Sequence, residues 1–236
     1  IQKKTSINFA KLLDIVAKSF PKFRIRFTTS NPQDMDNEVL ITMKAHNNIC
    51  NHIHLPVQSG SDKILKEMNR QHTREEYLNL VTEIKTILPD CGISQDMITG
   101  FPNETEKDHL DTLSLMNLVK YDFGFMFKYS ERPGTLASRK LDDNIPEEIK
   151  QRRLSEIIDL QFKHSFENLS KYVNKKTVVL IEKESKKSKG FWAGRNEQNI
   201  MVVFPKEDFK TGEFVEVLVK ENTATTLKGL GLNRII

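Results

Sequence analysis

The sequence predicts an α/β chain: a run of parallel β/α units forming part of a (β/α) barrel, followed by a small antiparallel β-barrel. Three observations predict it. Up to about residue 130, short runs rich in β-branched or aromatic residues alternate with runs of helical period. Strands separated by whole helices pair in parallel, because a parallel crossover needs a dozen or more residues. After Tyr172 the period falls to two, and glycines at 190, 194, 212, 229 and 231 punctuate it.

The elements follow in order. Phe9, Leu12, Leu13 and Val16 predict a helix over Asn8–Lys18. Strands are expected at Phe23–Phe27, His52–Val57, Ile93–Ile98 and Phe123–Tyr129, each bounded by turn residues. Thr73 and Glu76 make a capping box ahead of Tyr77, Leu80, Val81, Ile84, Ile87 and Leu88, and Pro89 and Gly92 close that unit. Asn103 and Glu106 suggest a second box before Leu110, Leu113 and Met116. Pro146 opens a long helix whose apolar stripe is Ile149, Leu154, Ile157, Ile158, Phe162, Phe166 and Leu169. Thr177–Ile181, Asn199–Phe204, Glu213–Val219 and Ala224–Leu227 read as strands of a barrel of about five, similar in style to oligonucleotide-binding barrels. The expected division is residues 1–145 for the partial barrel, 146–171 for a linker helix and 172–236 for the second barrel. Four β/α units do not close a barrel, and a helix follows closely on Ile1, so further residues are expected upstream of Ile1.

Two cysteines, Cys50 and Cys91, exclude a disulfide framework and suggest a reducing, cytoplasmic setting. Neither a signal peptide nor a membrane-spanning run is evident. Lys171–Ile236 carries 13 basic and 8 acidic residues, whereas the preceding 170 residues carry 23 and 24. The basic excess therefore belongs to the second barrel, as a polyanion-binding surface or as a solvated lysine-rich one.

In parallel β/α barrels, functional groups sit where strands end. Here the strand ends lead into Thr28-Thr29-Ser30-Asn31-Pro32, Gln58-Ser59-Gly60-Ser61-Asp62, Asp96 with Gly100-Phe101-Pro102, and Ser130-Glu131-Arg132. Each has a plainer reading. Ser61 or Asp62 can cap a helix, Gly100 and Pro102 can be only a turn, and Arg70 can be a solvated cation at a helix end. Asp96, flanked by apolar residues, needs some partner. His52 and His54 share one side of their strand. With His46 and Cys50 they lack the ligand pairs of a structural zinc site.

Residues 24–34, His52-Ile53-His54-Leu55-Pro56-Val57-Gln58-Ser59-Gly60-Ser61, Met68-Asn69-Arg70, residues 96–105 and Tyr129-Ser130-Glu131-Arg132-Pro133-Gly134-Thr135 resemble, in order, the radical S-adenosylmethionine (SAM) methylthiotransferase family. The tail from Tyr172 resembles the TRAM domain, an RNA-binding OB-like barrel. The resemblance implies a partial (β/α)6 barrel of which these are the last four strands, SAM as cofactor and two 4Fe-4S clusters. It also implies an electron donor such as a flavodoxin-type protein, and tRNA as partner, methylthiolated at carbon 2 of N6-isopentenyladenosine beside the anticodon. It places Gln58 and Arg70 at the methionine end of SAM, Asp96 at the ribose hydroxyls with Thr29 and Ser30 near them, and Gly100, Phe101 and Pro102 along the adenine.

In the tail, Lys186, Lys187, Lys189 and Arg195 are candidate phosphate contacts, and Phe191 and Trp192 candidate stacking rings or ordinary barrel packing. The family's cluster cysteines are absent from this chain and expected upstream of Ile1, so the fragment alone is expected to be inactive. Asn31 stands where the family more often has His. The competing readings are a non-catalytic RNA-binding module, and a methylthiotransferase acting on threonylcarbamoyladenosine in tRNA or on a ribosomal protein.

Overall fold

A computed structural model describes residues 7–28 and 31–235. Helix α1 (Phe9–Ser19) is N-capped by Asn8, and α2 (Asn37–Ala45) by Asp36. Three parallel strands follow, β1 (His52–His54), β2 (Gly92–Thr99) and β3 (Phe123–Lys128), in the order β1-β2-β3. Between them run α3 (Asp62–Glu67), α4 (Arg74–Ile87) and α5 (Glu106–Val119). Beyond β3 come α6 (Leu136–Lys140) and the long α7 (Glu147–Ser170). One face of the sheet, with Ile53, Leu55, Ile93 and Met97, packs on Leu40, Tyr77, Ile84 and Leu115 of the helices. Tyr77 reaches through this core to donate to the Leu55 carbonyl at 2.9 Å, and receives the Tyr121 hydroxyl at 3.1 Å.

The second unit comprises β4 (Lys176–Glu184), β5 (Phe191–Arg195), β6 (Met201–Pro205), β7 (Phe214–Asn222) and β8 (Thr226–Ile235). They close a barrel in the order β4-β5-β6-β8-β7 around Val179, Val202, Phe204, Val215, Val217 and Leu227. Strand β5 was not among the predicted strands. It is short and contains Gly194, whose added Cβ would lie 2.0 Å from the Leu180 carbonyl oxygen, so glycine is what lets β4 and β5 pair there.

Three expectations are corrected. Phe23–Phe27 is not a strand: it makes one parallel bridge, Ile25 to Ile49, while the Arg24 and Arg26 side chains turn to the second barrel. The cap of α5 is Thr105, in a capping box with Asp108. Asn103 has a left-handed backbone (φ 63°) that a capping residue does not adopt. The stripe expected on α7 packs only in part: Ile157 and Leu169 are buried and Leu154 packs on the core, whereas Phe162 and Phe166 are exposed. The rest of the buried face is polar, and the reason is hydrogen bonding. The chain leaving α5 presents carbonyls that no strand partner takes. Asn168 donates to Lys120 O at 2.7 Å, Gln161 to Tyr121 O at 2.9 Å and Ser165 to Asp122 O at 2.7 Å.

The two units meet through arginines. Arg24 donates to the Arg195 carbonyl at 2.6 Å and stands 4.9 Å from the Phe214 ring centroid. Arg26 donates to the Asn196 carbonyl at 2.8 Å and to the Asn199 side chain. These two residues were not singled out in the sequence. Their alternation with Ile25 looks like strand patterning, and only the folded chain shows what they reach.

Candidate active site

The second face of the parallel sheet carries the site. Side chains alternate along a strand, so His52 and His54 of β1 share a face with Ser94 and Asp96 of β2 and with Phe123, Phe125 and Phe127 of β3. The register sets His54 opposite Ser94, Ser94 opposite Phe123 and Asp96 opposite Phe125. Buried Ser94 links the histidines: its hydroxyl lies 3.0 Å from His52 Nε2 and 2.9 Å from His54 Nδ1. His52 also stacks on Phe123, with centroids 5.3 Å apart. Burial, with Arg26 and His54 nearby, pulls its pKa down to about 3, so His52 is neutral at neutral pH. The His54 ring nitrogen Nε2 is 3.4 Å from Asp96 Oδ2, and its ring meets Phe125 edge-on at 6.4 Å.

At the C-terminal rim, Gln58 has an unusual left-handed backbone (φ 74°). Its N–H donates to the Asp96 carbonyl and its carbonyl accepts from Ile98, both at 2.9 Å, so Gln58 is fixed beside Asp96. Gly60 follows, tight against α5: an added Cβ would sit 2.5 Å from the Asp111 carbonyl oxygen. Ser61 caps α3 and donates to Asp108 at 2.6 Å. Burial raises the Asp108 pKa, but hydrogen bonds from Ser61, Thr105 and Lys63 outweigh it and hold that carboxyl well below its usual range. Asp62 accepts from the Arg74 N–H at 2.6 Å. Ser61 thus fulfils the capping reading, and Asp62 is the first residue of α3 rather than its cap.

Arg70 follows α3 through left-handed Asn69, half-buried. Burial pulls its guanidinium below the ordinary value, and the Asp96 carboxylate opposes that shift. Gln58 is thus held against Asp96, and Arg70 stands near enough to feel the Asp96 charge without forming an ion pair with it.

Gly100, Phe101 and Pro102 form the turn after β2. Gly100 has φ 70°, and its N–H donates to Glu104 at 2.7 Å. Phe101 is buried edge-on against Tyr129, with centroids 5.0 Å apart. Beneath the turn, Glu104 meets Arg153 of α7 at 2.8 Å, a buried ion pair that sequence reasoning missed because its members lie 49 residues apart. Thr29 and Ser30 lie outside the described residues.

In the second barrel, Lys186, Lys187 and Lys189 are exposed in the β4–β5 turn, and Phe191 is partly exposed beside them. The fold bears on two more of these residues. Trp192 is buried in the barrel core with Lys206 4.6 Å from its ring centroid, so it packs rather than stacks on a base. Arg195 pairs with Glu182 at 2.5 Å, and its backbone receives Arg24, which places it at the junction between units.

Asp96 offers a carboxylate to hydroxyls, Arg70 a guanidinium to a carboxylate and Gln58 an amide, a donor set that fits SAM. The cysteines do not fit an iron–sulfur cluster. Cys50 precedes β1 and Cys91 precedes β2, at the far end of the sheet from the rim. Both thiols are buried and raised, Cys91 to about 12. Among the described residues, no group of three or more His, Cys, Asp or Glu side chains could hold a metal. A cavity of about 1270 Å³ also opens at that far end, lined by Arg24, Cys50, Cys91, Asp122, Tyr172 and others. It contains none of the rim residues, and the site is assigned to the rim on donor chemistry rather than on cavity size. No helix among the described residues is long and apolar enough to cross a membrane.

Comparison with known proteins bears on these features. Residues 4–116 match the family model of the radical SAM superfamily, and residues 170–230 that of the TRAM domain. Curated tRNA-2-methylthio-N(6)-dimethylallyladenosine synthases from Christiangramia forsetii and Flavobacterium psychrophilum are 62% and 59% identical over 229 residues. Each match covers 97% of this chain and 48% of the relative, so the chain spans about half the length of the curated relatives it matches. Coproporphyrinogen III oxidase from Escherichia coli, a radical SAM enzyme, superposes with a TM-score of 0.56 at 17% identity, over 95% of this chain and 56% of that one, which speaks to fold alone. With its parallel sheet, polar rim and closed barrel, this chain joins a radical SAM match over residues 4–116 to a TRAM match over residues 170–230.

Proposed function

We propose that this chain is the barrel and TRAM portion of a radical SAM methylthiotransferase that modifies carbon 2 of N6-isopentenyladenosine near the tRNA anticodon. The observation that carries the reading is the pairing of Gln58 with Asp96 at the strand ends, within a chain 62% identical over nearly its whole length to such a synthase. In this reading residues 1–145 form the partial barrel, 146–171 the connecting helix and 172–236 the RNA-binding barrel. When bound, SAM and a 4Fe-4S cluster supply the radical chemistry that a non-acidic ring C–H bond requires, and a second cluster serves sulfur insertion. An electron donor of flavodoxin type supplies the reducing power.

The chain's own residues bind and orient. Arg70 pairs the SAM carboxylate, a bidentate match for a guanidinium. Gln58, locked by its backbone beside Asp96, contacts the same methionine end. Asp96 accepts from the ribose hydroxyls, with His54 on its other side. The Gly100–Pro102 backbone lines the adenine. Lys186, Lys187 and Lys189 meet tRNA phosphates, and Phe191 offers a ring to a base.

Asp96→Ala in the full-length enzyme is expected to weaken SAM binding by tenfold or more, since hydrogen bonds to a charged group contribute roughly 1.5–3 kcal/mol. Equilibrium binding measures it, and unchanged SAM affinity would remove Asp96 from the site.

A further inference from the structure

We propose that Phe125 and Phe127 are specificity-determining residues that form the wall on which the alkylated purine of the substrate nucleoside rests. The inference rests on the function proposed above and deepens it.

The inner face of the sheet is divided into two columns. His54, Ser94 and Asp96 of β1 and β2 form a polar column, joined by contacts of 2.9 and 3.4 Å. Beside it, β3 sets Phe125 opposite Asp96 and Phe127 opposite Ile98. At the bottom of the face Phe123 is covered by its stack on His52. One step up the strand the cover ends, with Phe125 56% exposed and Phe127 52% exposed. A phenylalanine left half in water forfeits much of the free energy its burial would give. Two of them, on alternate residues of one strand and aimed to the side where the cofactor donors converge, make a surface that awaits an apolar, flat occupant.

The polar column already matches SAM, which needs a carboxylate for its ribose and a cation for its carboxylate. The second ligand at this face therefore meets the aromatic column. A nucleobase offers a π-face to a ring at any sequence. An apolar group on the exocyclic nitrogen extends that contact to the second ring, about 7 Å further along the strand by the rise per residue. An N6-alkylated adenine thus uses both phenylalanines, whereas plain adenine uses one. Continuity fixes the position: the Phe125 ring meets His54, and His54 meets Asp96, so the base lies against the SAM site.

The test uses the full-length enzyme and two anticodon stem-loops, one with N6-dimethylallyladenosine and one with adenosine at the same position. Phe125→Leu and Phe127→Leu are each expected to lower kcat/KM on the alkylated stem-loop about tenfold, mainly through KM, which narrows the preference over plain adenosine. SAM affinity and the thermal transition stay as in wild type, and Phe125→Trp retains the preference. A preference unchanged in both leucine variants overturns the proposal. So does a parallel loss of SAM affinity with the thermal transition intact, because the rings would then hold SAM or another segment of the protein. If a leucine variant loses its thermal transition, Phe125→Trp decides: preference retained supports the wall, and preference lost with the fold intact overturns it. A wild-type enzyme that does not methylthiolate the alkylated stem-loop overturns the proposed function itself, and is recognised before any variant is made.

Discussion

The parallel sheet and the five-stranded barrel treat their inner faces in opposite ways. The barrel closes on itself and fills its interior with Val179, Val202, Phe204, Val215 and Val217, so its interior has no room for a ligand. Whatever it binds must meet its turns, where Lys186, Lys187 and Lys189 are exposed. Among the described residues the sheet does not close. It packs one face against helices and leaves His54, Ser94, Asp96 and Phe125 on the other. The difference teaches where to look for chemistry in each: on the inner face of the open sheet, and on the outside of the closed barrel.

The largest expected effect tests how the open sheet's rim is supported. Glu104 and Arg153 form an ion pair with side chains only 1% and 5% exposed, under the turn that follows Asp96. Glu104→Leu leaves a buried guanidinium that cannot shed its charge, with Glu106 at 3.3 Å as its remaining carboxylate. Denaturant unfolding is expected to show a loss of about 3–5 kcal/mol. Arg153→Leu is expected to cost less. Burial already raises the Glu104 pKa, so that carboxyl can take up a proton and become neutral. The double variant Glu104→Leu/Arg153→Leu is expected to recover most of the loss. Equal costs for the two single variants would show that the rim is not held by this charge pair.

A smaller effect distinguishes the sheet's inner face by pH. The His52 pKa falls from 6.5 to about 3 on folding. Below pH 6.5 the unfolded chain binds a proton that the folded chain refuses. Stability from this residue is therefore present above pH 6.5 and is lost as pH falls toward 3, at up to about 1.4 kcal/mol per pH unit. His52→Gln keeps a polar group near Ser94 but does not titrate. Its stability is expected to fall less steeply than that of wild type between pH 6.5 and 4, by chemical denaturation at each pH. Parallel curves would mean that His52 is as open to protons in the fold as out of it.

Much of this was legible in the sequence where local chemistry decides structure. The Thr73–Glu76 box, the alternation of His52 and His54, and the polar strand ends were all readable because caps, pleats and turns depend on neighbouring residues. Reading failed where distant partners decide. Arg24 and Arg26 sit in a β-patterned run, but their hydrogen-bond partners at Arg195 and Asn196 lie some 170 residues away. The stripe on α7 held at Ile157 and Leu169 but not at Phe162 and Phe166, since the carbonyls near Tyr121 are met by Gln161, Ser165 and Asn168. The Asn103 cap failed more locally: a better box two residues on, Thr105 with Asp108, freed Asn103 for a left-handed turn. At the site, Gln58, Arg70 and Asp96 were found as singles, but their company with His54 and Phe125 needed the strand register.

The smallest expected effect concerns the outside of the barrel. Replacing Lys186, Lys187 and Lys189 together by Gln removes three exposed charges from one turn and touches no core residue. If each lysine neutralises one phosphate, the slope of log affinity for tRNA against log salt should become shallower by roughly 0.7–0.9 per lysine, about two in all. The loss should be similar for stem-loops of different sequence, because phosphate contacts position an RNA without reading it. SAM affinity should not move, since the turn belongs to the closed barrel and the donors to the open sheet. A slope unchanged within error would move the RNA surface away from this turn. A slope change accompanied by weaker SAM binding would break the separation of roles between the two units, and would point to the Arg24 and Arg26 contacts as the route by which the barrel reaches the sheet.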